Sequence, residues 1–318
     1  MNSHTEAVKL KRQMLEALAM VIIAFVALTS ATYAWYVSNH RVKATTSTIS
    51  AIADDVVLQI SKGTVPEHGS SSATIAAQKG HPITPASTDD IVNWYVPERW
   101  VDNLTKVDRY QQPIMETMDE YNVLDGSYQL GGKTYYAYVA STFTLYSIKD
   151  TGTADVYLDG SAEGGAIQIT RLENGVQVPV TDKVAATMRV GIVIDGELKF
   201  VYAPKEPDGL GNDVYSINNN IQGWTTVADG SSTKPVTYAH ISGAEYSDWA
   251  IYRKDGTKYY DAATAGRYKV AENVGYDGVR FQIYVWMEGT DSDCIGSVVS
   301  GDESEYSVVV HLAGLATK

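Results

Sequence analysis

The chain has 318 residues, 44% of them hydrophobic and 20% charged, which supplies enough apolar material for a core and argues against wholesale disorder. Its net charge of −13 argues against binding to nucleic acid or anionic lipid. A single cysteine, Cys294, excludes an internal disulfide, so a core and its ladders must hold the fold.

Residues 1–16 form a basic leader with Lys9, Lys11 and Arg12, and residues 17–34 form an apolar helix that would enter or cross a membrane. The basic end would stay in the cytoplasm and the rest would lie outside. Small residues then prepare a signal-peptide cleavage after Ala34, with Thr32 and Ala34 at the −3 and −1 positions and Trp35 as the new first residue. Removing Lys9, Lys11 and Arg12 together with Glu6 and Glu16 would take the net charge from −13 to −14.

Residues 35–318 are expected to be an extracellular all-β domain, a jelly-roll-like antiparallel β-sandwich with insertions. Val56, Leu58 and Ile60 alternate with Val57, Gln59 and Ser61, which indicates a half-buried strand. Residues 62–90 are rich in Gly, Pro and Ser and read as a long surface loop. In residues 91–125, Trp94, Tyr95 and Trp100 lie near Arg99 and Arg109, and Met115, Met118 and Tyr121 could share a helical face. That cluster reads first as a packed lid over the end of the sandwich and second as a glycan or peptide platform.

Three hairpins follow. Gly131-Gly132, Asn174-Gly175 and Asp195-Gly196 each supply the positive φ angles that two-residue turns require. Phe143–Leu145 and Val156–Leu158 are two further short strands. Residues 203–265 read as an insertion closed by a hairpin around Asp255-Gly256. Phe281, Ile283, Val285 and Met287 then alternate with Gln282, Tyr284, Trp286 and Glu288. Tyr306, Val308, Val310 and Leu312 alternate with Ser307, Val309 and His311, so both runs are core strands, joined by an acidic loop.

Catalytic patterns are missing from the sequence. The six histidines are never within four residues of one another, and no His-Glu-x-x-His, nucleophile elbow or phosphate loop is present. No enzyme is expected. The better of two weak metal candidates, ahead of Asp208, Asn212 and Asp213, is a loop where Glu288, Asp291, Asp293, Asp302 and Glu303 crowd hard oxygen ligands on a turn, as Ca²⁺ prefers, without an EF-hand spacing. A solvated acidic loop explains them as well.

The stretch Leu28–Tyr36, with Ser47–Ala51 and Val57–Ile60 after it, resembles the leader junction and opening strand of the TasA/camelysin family of exported bacterial matrix proteins. The resemblance covers residues 9–61. It implies processing by an ER-type signal peptidase and assembly into biofilm-matrix fibres at the surface of a Gram-positive-type cell, or retention on the membrane if the leader stays. The family's acidic residue after cleavage is replaced here by Ser38-Asn39-His40-Arg41. The expected partners are other copies of the chain, joined head to tail. Trp35, Tyr36, Val37, Val42, Ile49 and Ile52 would form a donor strand that completes a neighbour's sheet. A membrane-anchored or secreted adhesin is the second expectation and a camelysin-like metallopeptidase the third.

Overall fold

The computed structural model describes residues 13–14, 16–21, 42–54, 58–66, 71–76, 82–88, 90–101, 106–120, 122–148, 152–159, 166–173, 176–179, 183–203, 213–215, 226–228, 233–235, 269–289 and 305–317. These are overwhelmingly β-strand. Two ladders pack face to face around one apolar core, so the chain is all-β and sandwich-like.

The first ladder is built on β21 (Glu305–Ala316). One edge of β21 pairs in parallel with β1 (Val42–Asp54), whose other edge takes β3 (Ser72–Ala76) and β4 (Pro82–Ile83). The opposite edge of β21 pairs first with β12 (Ile167–Glu173) and then with β11 (Ala154–Leu158). Strands β13 (Val176–Pro179) and β19 (Lys269–Val274) extend those two outward.

The second ladder is built on β10 (Lys133–Ser147) and β20 (Val279–Glu288). β10 also pairs with β2 (Leu58–Lys62) and with β9 (Val123–Leu130), which carries β8 (Met115–Glu120). β20 pairs with β14 (Met188–Ile194), followed by β15 (Glu197–Ala203) and β16 (Asp213–Tyr215). At one corner Ile83 of β4 pairs with both Val42 and Tyr136, so the two ladders join into one continuous network.

The core explains the alternation. Phe143, Leu145, Phe281, Ile283 and Val285 face Val156, Ile167, Val308, Val310 and Leu312, and all are buried. Burying side chains of this size is worth about 1.5–3 kcal/mol each relative to exposure. The ladders approach closely where glycine permits it: a Cβ on Gly314 would sit 3.1 Å from Leu58 Cβ.

Two hairpin turns follow their glycine chemistry. Gly131 and Gly132 have φ of 58° and 75°, and Asp195 and Gly196 have 49° and 87°. Glu173 pairs with Val176 around Asn174-Gly175, which lies outside the described residues. Within the expected insertion, β16 continues the second ladder, while β17 (Thr226–Ala228) and β18 (Thr233–Pro235) form a separate two-stranded sheet. The expected hairpin around Asp255-Gly256 lies outside the described residues.

Several expectations are corrected. The sandwich is mixed rather than antiparallel, because β1 and β21, β4 and β10, and β5 (Pro85–Thr88) and β20 are parallel pairs. Residues 62–90 are not one loop: they contain β3, β4 and β5, and every residue of β5 is buried. The Met115–Met118 stretch is strand β8, not a helical face. Phe143–Leu145 is no separate strand but the continuation of β10. The strand expected to be half-buried at Leu58–Ser61 is buried on both faces.

Candidate functional site

The N-terminal strand is the first candidate. Thr32, Ala34, Trp35, Tyr36 and Val37 lie outside the described residues. Residues 13–14 and 16–21 are helical, and Met14, Leu18, Met20 and Val21 are exposed although apolar. No helix among the described residues is long and apolar enough to cross a membrane. The rest of the expected donor strand falls in β1. Val42 pairs with Ile83, Ile49 with Val310 and Ala73, and Ile52 with Ala313. β1 therefore fills a slot between β21 and β3 of its own chain, in register from Lys43↔Glu305 to Asp54↔Leu315 with one shift near Ala44.

The outer face of the second ladder is the other candidate. β5 continues through a loop into β6 (Trp94–Val101), which pairs with β7 (Lys106–Gln111). The loop is tied tightly. The Asp90 carboxylate accepts the backbone N–H of Val92 at 2.8 Å and of Asn93 at 2.6 Å, and Thr88 Oγ1 accepts that of Ile91 at 3.0 Å. Ile91 is held at φ 60°, a left-handed conformation that a β-branched residue rarely adopts. Trp94 Nε1 donates to the Ile91 carbonyl at 3.0 Å, which fixes the indole beneath the loop.

Trp94 is buried. Its ring stacks on Tyr138 at 4.5 Å and meets Trp286 edge-on at 5.7 Å. Tyr284 packs on Tyr138 at 5.1 Å, and Thr84 Oγ1 bonds the Tyr128 hydroxyl at 3.0 Å. Burial raises the Tyr138 hydroxyl above its ordinary pKa and pushes Tyr284 up to about 12. Both phenols stay protonated at physiological pH. The expected lid is thus real for Trp94, but it covers a sheet face rather than an end, and the indole offers no platform to a glycan. The side chains of Trp100, Arg99 and Arg109 lie outside the described residues.

Of the expected calcium ligands, only Glu288 is described. It is fully buried and accepts the Trp286 Nε1 proton at 3.2 Å. Asp291, Asp293, Asp302 and Glu303 lie outside the described residues. Among the described residues no three His, Cys, Asp or Glu side chains are grouped to hold a metal.

Two further features escaped the sequence. On β11 and β19, Lys269 Nζ lies 2.8 Å from Asp155 Oδ2 and 3.1 Å from Glu272, while the Asn273 N–H donates to Asp155 Oδ1 at 3.0 Å. The second feature is β8. It pairs with β9 along one edge, and its side chains Glu116, Thr117, Met118 and Asp119 are exposed, as is the preceding Ile114. The Met115-x-x-Met118 spacing hid it, because a three-residue interval also fits a helix.

No family model matches the chain, and neither the curated proteins nor the solved structures provide a match.

Proposed function

We propose that this chain is an exported structural subunit of an extracellular fibre, with a jelly-roll-like domain that assembles through its N-terminal segment after the leader is removed. The observation that carries the reading is the placement of β1. The strand immediately after the leader stands in the middle of a ladder, paired on both edges. While the leader is attached, the residues ahead of β1 are tied to the membrane helix; cleavage after Ala34 frees Trp35–Arg41. The exposed apolar side chains of the leader helix support a membrane-seeking segment. A donor at one end and an acceptor elsewhere on the body give head-to-tail contacts, which build filaments when they do not close. The likeness of residues 9–61 to TasA and camelysin supports the same reading.

The test uses the released chain beginning at Trp35. It should form fibres visible by electron microscopy, whereas the chain with its leader should not. A Trp35 form that stays monomeric at every concentration, pH and salt tried would sink the proposal. Mass spectrometry of the mature N-terminus from the producing cell should also give a start at Trp35.

A further inference from the structure

We infer that the hairpin of β6 and β7 is a lid that opens separately from the rest of the fold, latched by Trp94 over an aromatic face of the second ladder. This does not rest on the fibre reading. The attachment of the hairpin is slight. β10 and β20 share eight residue pairs, whereas β6 is joined to β5 by two, Ser87↔Tyr95 and Thr88↔Trp94. β5 in turn meets β20 at Met287↔Pro85 and Glu288↔Ala86, and the Gly289 N–H donates to the Ala86 carbonyl at 2.9 Å. Among the described residues β7 pairs with β6 alone, and β18 lies beside it without forming a ladder.

The hairpin leaves and re-enters the body at one place. On the way in, the Asp90 carboxylate shapes the turn that holds Ile91 at φ 60°. On the way out, Gln112 Nε2 donates to Asn93 Oδ1 at 2.8 Å, and Pro113 follows. The two ends thus meet at an exposed contact. The hairpin can swing about this point while β5 and β8 keep their own pairings with β20 and β9.

What resists the swing is one face of β6. Trp94 and Val96 are buried, the indole lying on Tyr138 at 4.5 Å and against Trp286 at 5.7 Å. The indole N–H also donates to the Ile91 carbonyl, so the same side chain closes the hinge turn. Among the described residues, the side chains that cover this face from outside the ladder are Ala86, Ile91, Trp94 and Val96, and the last two belong to the lid. Opening would bare Tyr138, Tyr284 and Trp286 together. A detached two-stranded hairpin is marginal in water, so the β6–β7 pairs would come apart when the latch releases. Units held this lightly open at a lower free energy than the core.

The test is hydrogen exchange by mass spectrometry on the full chain, repeated in rising urea below the unfolding transition. Peptides from β6 and β7 should exchange together, about tenfold or more faster than those from β10 and β20. Their urea dependence should be shallower, because opening exposes less surface than unfolding. In Trp94→Ala the protection of β6 and β7 should be lost while β10 and β20 stay protected. Lid peptides without protection in the parent chain overturn the inference, as do lid and ladder peptides that share one rate and one urea slope. A folded Trp94→Ala that keeps its lid protection overturns it too. If that variant does not fold, Trp94→Phe takes its place, since it retains a ring and loses the N–H. Lid exchange several-fold faster at the same shallow slope then supports the latch, and an unchanged rate overturns it.

Discussion

At the residue scale, Trp94 shows how one side chain can serve two layers. Its indole closes the aromatic face of the second ladder, and its Nε1 proton holds the Ile91 carbonyl of a strained turn. Replacing it by alanine removes one of the two tryptophans of that layer and takes away the indole N–H bonded to the Ile91 carbonyl. Trp94→Ala should cost about 3–5 kcal/mol in denaturant unfolding and strip intensity from the near-ultraviolet circular dichroism. A substitution that left stability unchanged would restore the platform reading of this aromatic cluster. Gly126 tests the same layer from the opposite direction. A Cβ there would fall within the Tyr138 ring, so Gly126→Ala should displace the ring that Trp94 stacks on and cost about 1–3 kcal/mol.

At the element scale, Asp155 and Lys269 join β11 to β19. Burial pushes the Asp155 carboxyl up, but the Lys269 ammonium, the Asn273 N–H and the Tyr157 hydroxyl outweigh it and hold the group below the usual carboxylate range. The hydrogen bond to Asp155 raises Lys269, burial opposes it, and Glu272 adds to the rise. The signs follow from linkage. A depressed carboxyl contributes stability above its unfolded pKa and loses it as pH falls through the folded value. A raised lysine contributes below its unfolded pKa and loses it as pH rises through the folded value. Asp155→Asn should therefore flatten the acid side of a melting-temperature profile. At neutral pH it should cost no more than about 1 kcal/mol, since the pair is partly solvated. An unchanged acid limb would show that the pair does not join the strands energetically.

The elements also show what the sequence could disclose. Turns with Gly131-Gly132 and Asp195-Gly196 were legible because few residues other than glycine, asparagine and aspartate accept those backbone angles. β20 was legible as a strand, but only half of its environment was. Tyr284, Trp286 and Glu288 occupy the positions that alternation assigns to solvent, yet they are buried beneath β5 and β6. Aromatics on both faces of one strand were the available sign of two-sided burial. β4 and β5 gave no such sign: they are short, begin with proline, and bury Ser87 and Thr88. Their place is set by long-range pairing with β1, β10 and β20, which no local pattern encodes.

At the scale of the whole molecule, the first strand of the sheet pairs with the last. Ser47 meets Val308 and Ile52 meets Ala313, so β1 cannot find its partner until nearly the whole chain is available. Closing so long a loop is entropically costly and slow, which leaves β1 and its slot exposed to other chains during folding. Removing β1 should then leave a body whose β21 and β3 edges are both open and prone to pair. A chain beginning after Asp54 should melt at a lower temperature than the Trp35 form and should aggregate. A synthetic peptide of residues 42–54, added in excess, should raise the melting temperature in proportion to the logarithm of its concentration, as expected for a ligand bound only by the folded state. A peptide with the same composition in scrambled order should not, because burial of one face fixes the register of the inserted strand. If the native peptide gives no shift while the truncated body retains β-type circular dichroism, β1 is dispensable rather than the strand that completes the sheet. A slot that is stable when empty would give a neighbour's strand nothing to complete, and assembly would then have to rest on the freed residues ahead of β1 rather than on exchange of β1 itself.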